Sequence, residues 1–510
     1  MVVNHASAEH DQSDTAARRW LVLMVMASAA IRAVLCVRGG QFFWVDEGRI
    51  QRSWSLLKHV GHPLTTLDTL VRSSDHWLFS VVGTVPATAQ YVVMRLRGGP
   101  AVPSFADIAA GSWISALCFS LSGLACNVLV YAIARRSGAG RAEALLAAFL
   151  MFCSTSATIY SRHLLPYDTS LAFALLALWL GMKHEAGIER SVLCGLVAAA
   201  AFGVYNGYWL LAAVVLGAHL LWPGWSPLVM IRRALAAGIA FTLPLLVLQV
   251  TSLLRMLPPF FDQQRQFSRT VTQGSYAEGW SLPWAYLWHS EHLLLVLWLV
   301  GSAALVVMVV TNCEFRRRGM AWLAMLVAIY AGLVVSSVVL GKFVVYGRNA
   351  REMVPFLCLA TAPVLAAALR RGPNRRAAAV CLLLVAQFSW NLRRPLTQRF
   401  PTQVSRLAAA YVPLRHASSF GKGALLIGDC RYHNSAQVEG EARYVLMNTC
   451  FAIPFVAGPA APAGRVVFRY PHPLQYKPYQ YEGYSPRDRA LLRSLDVSMR
   501  LIDTGAMPTR

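Results

Sequence analysis

Long apolar runs recur along the first three quarters of this chain, at residues 20–37, 111–134, 144–160, 167–183, 191–204, 207–222, 235–257, 291–312, 320–341, 353–370 and 376–391. A helix needs about 20 apolar residues to cross a hydrocarbon core, and only helices or closed barrels satisfy their own backbone there. In 510 residues, 56% are hydrophobic and 14% charged, which excludes an ordinary soluble domain. The chain therefore reads as mainly α, a polytopic membrane bundle of about 11 helices.

Its net charge of +23 would suggest nucleic acid in a soluble protein. No nucleic-acid motif accompanies it, and the cations gather at the ends of apolar runs instead. They are Arg18 and Arg19, then Arg135, Arg136 and Arg141, then Lys183 and Arg190, then Arg232 and Arg233. Arg316, Arg317 and Arg318 follow, then Arg370, Arg371, Arg375 and Arg376. By the positive-inside rule these ends and the N-terminus are cytoplasmic. The first run lacks a small-residue cleavage site and reads as an uncleaved anchor. Residues 76–98 are long enough to span, yet counting them would turn every later arginine cluster outward. They are expected to lie on, or dip into, the outer surface.

Eleven crossings divide the chain into a membrane unit, 1–391, and an extracytoplasmic unit, 392–510. The first outer loop is 38–110. The second unit is expected to be a small α/β domain, with strands in "ALLIGD" and "GRVVFRY" and a helix capped by Ser485. The ten cysteines include no CxxC, and most lie in apolar runs as small buried hydrophobes. Cys430 and Cys450, in the polar C-terminal unit, are candidates for a disulfide if that unit is outside. His59, His62, His76 and His163 have no metal-ligand spacing, so no metal site is assigned.

The polar residues that need explaining gather on the outer face. Asp46, Glu47 and Arg49 follow the first run; Asp75 and His76 precede the surface helix; Arg162 and His163 lie between the third and fourth runs, with Asp168 at the start of the fourth. Arg348 and Arg351 open the tenth. This inventory fits group transfer from a membrane-embedded phosphate donor: a carboxylate takes the acceptor's proton, and arginines hold the leaving phosphate. Each residue also has a structural reading. "VDEGRIQRSWSLLKHV" is an amphipathic helix with acids in its first turn. Asp168 suits a cap or a partner for Arg162, and Arg348 and Arg351 suit headgroup anchors.

An apolar span followed by an aromatic-Asp-Glu motif resembles the polyprenyl-phosphate-sugar glycosyltransferases of the GT-C class, among them protein O-mannosyltransferases and lipid A aminoarabinose transferases. The resemblance makes Asp46 the catalytic base. Asp46, Glu47 and Arg49 match the Asp-Glu-x-Arg form of the aminoarabinose enzymes, which implies Arg49 near the donor phosphate. "SDHWLFS" echoes the family's acid-containing motif through Asp75 and His76, with Trp77 and Leu78 where prolines would stand. Arg162 and Asp168 resemble the family's arginine and acid at the next outer turn, one residue further apart than in the mannosyltransferases. Arg351, with Arg348 beside it, resembles the late arginine before a proline-containing span.

The likeness covers about residues 20–390. It implies a polyprenyl-phosphate sugar as donor, inversion at the anomeric carbon, and a lipid, glycan or protein acceptor, with metal dependence open. Arginine- and alanine-rich composition suits a bacterial inner membrane, with lipids as neighbours. Two rival functions remain. A transporter or flippase of an anionic or polyprenyl-linked lipid predicts charges buried mid-span and broken helices, and Arg32 is such a charge. An O-antigen ligase or polymerase predicts a large, arginine-rich late loop, whereas 258–290 is short and carries Arg265 and Arg269.

Overall fold

The computed structural model describes residues 3–72, 76–182, 187–222, 226–272, 279–341, 345–370, 374–400, 403–404, 407–408, 410–412, 444–448, 464–482, 486, 489–490 and 498–505. Asp75, "ALLIGD", Ser485, Cys430 and Cys450 lie outside the described residues.

The chain begins with α1 (Val3–Val37), followed by α2 (Ile50–Lys58), α3 (Pro63–Arg72), α4 (Trp77–Val82) and α5 (Thr84–Leu96). Then come α6 (Phe105–Arg136), α7 (Arg141–Phe152), α8 (Ser156–Ile159), α9 (Tyr167–Gly181), α10 (Ile188–Val204) and α11 (Trp209–Leu221). The helical part continues with α12 (Pro227–Leu254), α13 (Phe260–Thr272), α14 (Leu282–Glu291), α15 (Leu293–Thr311) and α16 (Cys313–Val334). It closes with α17 (Gly347–Ala350), α18 (Val354–Arg370) and α19 (Asn374–Thr397).

Among the described residues, seven segments are long and apolar enough to cross a membrane: Thr15–Val37, Trp77–Leu96, Asp107–Arg136, Pro227–Leu254, Leu293–Thr311, Phe315–Val339 and Gly347–Arg370. An eighth is the pair Arg141–Phe152 and Ser156–Arg162, bent by 64° at its break. The protein is thus a mainly α, multi-pass membrane protein. The remaining expected runs are helices as well, α9 and α11 being shorter apolar ones. Residues 76–98, expected at the surface, form α4 and α5, which meet at Gly83 and together have the length and hydropathy of a span. Pro86 breaks nothing because it sits in the first turn of α5, where its missing N–H has no intrahelical partner to lose.

Local chemistry sets the element ends. Ser104 caps α6 by a reciprocal box: its N–H donates to the Asp107 carboxylate at 2.8 Å, and Asp107 N–H donates to the Ser104 hydroxyl at 3.3 Å. The break between α7 and α8 leaves backbone donors exposed inside the bundle. The buried Glu291, at the end of α14, accepts the N–H groups of Thr155 (2.9 Å) and Ser156 (2.7 Å) and the Ser154 hydroxyl (2.8 Å). One carboxylate therefore stands in for the missing turn at this bend.

Helix α18 is central, packed by α7, α15 and α16, with 78% of its apolar window buried. Helix α12 is peripheral, with 17% buried, and packs on α10. Helix α6 is shared between α1, α5, α7 and α9.

Among the described residues beyond α19, a three-stranded antiparallel sheet forms from β1 (Tyr444–Asn448), β2 (Arg465–Pro471) and β3 (Ser498–Asp503), in the order β1-β3-β2. "GRVVFRY" is a strand as expected. Leu446 and Leu501 are cross-strand partners, buried with Ala408, Val412 and Tyr444. After β2 the chain leaves the sheet and returns to the helices. Through a 3-10 turn and the one-turn α20 (Lys477–Gln480), it adds Leu474, Tyr476, Tyr479 and Tyr481 to the main hydrophobic core. The helical unit also runs past residue 391, since α19 ends at Thr397.

Candidate active site

The site forms where the ends of α1, α8 and α10 meet the start of α17 and the returning C-terminal segment. After α1, Gly39 (φ +85°) and Gly40 (φ +127°) turn the chain in a backbone region that disfavours side chains. A Cβ at Gly40 would lie 2.9 Å from Arg162 Nε. The 3-10 turn Val45–Arg49 then carries both acids.

Glu47 is fully buried and fully occupied. It accepts the backbone N–H of Phe42 (2.9 Å), Trp44 (3.1 Å) and Leu164 (2.8 Å), and the His163 ring at 3.0 Å. His163 Nδ1 faces two acceptors, Glu47 and the Gly40 carbonyl (2.9 Å), so it carries the proton. The His163 Nε2 lies 3.0 Å from the Tyr479 hydroxyl, within hydrogen-bond distance. Glu47 is the fixing point of the loop.

Asp46 faces the other way. Its carboxylate is 33% exposed, 2.9 Å from Arg49 Nη1 and 3.8 Å from Arg348 Nη2. Burial raises its pKa, but Arg49 and Arg348 outweigh that effect and hold the carboxyl below its ordinary value. Asp46 is therefore ionised at neutral pH and open to a substrate.

Arg348 is the hub. Its Nε donates to the Tyr205 hydroxyl (2.9 Å) and Nη1 to Glu482 (3.3 Å). Its guanidinium lies 4.1 Å from the ring centre of Tyr346 and 5.3 Å from that of Tyr167. Glu482 also accepts the Tyr160 hydroxyl. Burial pushes the Glu482 carboxyl up, while Arg348 and Tyr160 pull it back. His76 (φ +56°) packs its ring on Tyr205 at 4.9 Å. Burial first, then Arg49, Arg348 and Arg52, push its pKa well below the ordinary histidine value, so it is neutral.

Deeper in the helices, Asp168 bridges Arg32 (3.3 Å) and Arg351. Arg32 also donates to the Ala157 carbonyl at 2.8 Å. The gap lined by Gly123, Cys126, Met151 and Leu171 beside this row has no room for water. Charges alternate from there to the mouth: Arg32, Asp168, Arg351, Glu482, Arg348, Asp46, Arg49.

The structure thus brings Asp46, Arg49 and Arg348 together at the open end and places Asp168 and Arg351 in the buried interior. Arg162 donates to the carbonyls of Gly39 and Pro395, both at 2.6 Å, and stacks on Phe400. It braces backbone. Among the described residues no group of three His, Cys, Asp or Glu could hold a metal. Sequence reasoning missed Tyr160, Tyr205 and Glu482. The signal for Glu482 was the stretch "YKPYQYEGY", too aromatic for an exposed linker.

This arrangement can take an anion against Arg49 and Arg348 while Asp46 receives a proton beside it. No protein-family model matches the chain, and no curated protein is similar to it in sequence.

Proposed function

We propose that the protein is an integral membrane glycosyltransferase. It moves a sugar from a polyprenyl-phosphate donor to a lipid, glycan or protein acceptor on the extracytoplasmic face. The observation that carries this reading is the Asp46 carboxylate, ionised and accessible between Arg49 and Arg348. In the reaction the acceptor hydroxyl oxygen attacks the anomeric carbon, the bond from that carbon to the phosphate oxygen breaks, and the phosphate leaves with the electron pair. The acceptor's proton passes to Asp46. A carboxylate held low is a weak base, so transfer occurs late, when the attacking oxygen has become acidic. Arg49 and Arg348 neutralise the leaving phosphate. In this reading eleven spans from a cytoplasmic N-terminus put the site and the C-terminal sheet outside a bacterial inner membrane, with α4 and α5 at its surface.

The row Arg32–Asp168–Arg351 favours a second reading, transport of an anionic lipid, because charges inside helices often mark a translocation path. One experiment separates the two. Purified protein is incubated with radiolabelled polyprenyl-phosphate sugars and a membrane extract. Wild type should transfer label, and Asp46→Asn should lose about a hundredfold or more of the rate while remaining folded. Equal rates would remove Asp46 from the mechanism. Labelled lipid crossing sealed vesicles without transfer would establish the transporter instead.

A further inference from the structure

We propose that Glu482 and Tyr205 are positioning residues that clamp two guanidinium nitrogens of Arg348, so that the third faces Asp46 and a phosphate at the mouth. The inference rests on the donor-phosphate reading above. An arginine beside an aspartate tends to close onto it as a bidentate pair, which here would occupy base and phosphate site together. The observed geometry prevents this. Nε is held by Tyr205 and Nη1 by Glu482, leaving Nη2 at 3.8 Å from Asp46, too far for a hydrogen bond.

The clamps are themselves fixed. Glu482 is held on its other oxygen by Tyr160. Its neighbour Tyr481 accepts the Gly347 N–H at 2.9 Å, tying the returning segment to the residue before Arg348. The Tyr208 hydroxyl donates to the Arg348 carbonyl at 2.9 Å. A long side chain is thus preorganised with one edge open, and little rotamer freedom is left to lose when phosphate binds. The C-terminal segment is on this account part of the site.

The test uses full-length protein in detergent, with farnesyl monophosphate as the probe for binding and the transfer assay for rate. The groups facing Asp46 are Arg49 from its own turn and Arg348, with His76, Arg52, Tyr167, Tyr205 and Glu482 behind them. In Glu482→Gln, Arg348 closes onto Asp46. Farnesyl phosphate affinity should fall about ten- to hundredfold, and the acid limb of the rate profile should move to lower pH. Glu482→Asp, which keeps the charge, should recover part of the affinity. Tyr205→Phe releases the other nitrogen without changing charge and should weaken binding about tenfold, keeping the proposal testable if Glu482→Gln does not fold. Wild-type affinity in Tyr205→Phe, or a Glu482→Gln protein slowed equally at every pH, overturns the clamp while leaving the transferase reading intact. Wild-type protein that neither binds the probe nor transfers sugar overturns that reading and the clamp with it.

Discussion

Asp46 and Glu47 are adjacent yet face opposite ways, because a 3-10 turn rotates successive residues by about 120°. One side chain reaches solvent and the other enters the core. Their substitutions should therefore differ in kind. Glu47→Gln presents an amide to backbone donors that need an acceptor, and should lower stability by about 2–4 kcal/mol, seen as an earlier thermal transition. Asp46→Asn gives up only the part-exposed charge pairs with Arg49 and Arg348, so it should melt slightly earlier than wild type while its main loss, in the proposed reading, is in transfer. That Asp46 and Arg49 share one site was legible in the sequence because they lie three positions apart; that they pair with each other was shown by the structure. The job of Glu47 was not, since two of its partners, His163 and Leu164, come from more than a hundred residues further along the chain.

At the scale of elements, the first turn of α9 supplies Asp168, which bridges α1 through Arg32 and the turn before α18 through Arg351. Gly123 of α6 admits the Arg32 guanidinium, since a Cβ there would overlap it. Asp168→Asn strands two buried cations and should cost about 3–5 kcal/mol. A sharp loss of folded protein in detergent is the expected readout, and an unchanged melting temperature would contradict it. Helix positions were readable from the long apolar runs and their arginine-rich ends. The break between α7 and α8 was not, because what permits it is Glu291, more than a hundred residues away. Sequence order suggested Asp168 as a partner for Arg162; the fold instead pairs it with Arg351 and with Arg32, which the sequence marks only as a charge inside the first span.

For the whole molecule, the returning segment welds sheet to helices. Burial pushes the pKa of His472, at the start of that segment, down to about 3. The unfolded chain takes up its proton near pH 6.5, so the folded state loses stability as pH falls from about 6.5 toward 3, at roughly 1.4 kcal/mol per unit. Thermal melts should show that slope, and His472→Asn, whose side-chain oxygen can still accept the Leu474 N–H, should flatten it. An identical pH dependence in both proteins would exclude the histidine. A reporter fused after Arg510 should be active outside the cytoplasm if eleven crossings hold; activity inside would mean that α4 and α5 cross as well.

Tyr160 and Glu482 meet across 322 residues of chain. Glu482 lies in the last tenth of the sequence, so the membrane helices leave the ribosome with the mouth of the bundle unfinished. Contacts this distant in sequence close late. A nascent chain not yet extended to Glu482 therefore holds Arg348 without the carboxylate that pairs with its Nη1, so the order of synthesis itself delays the closing of this contact.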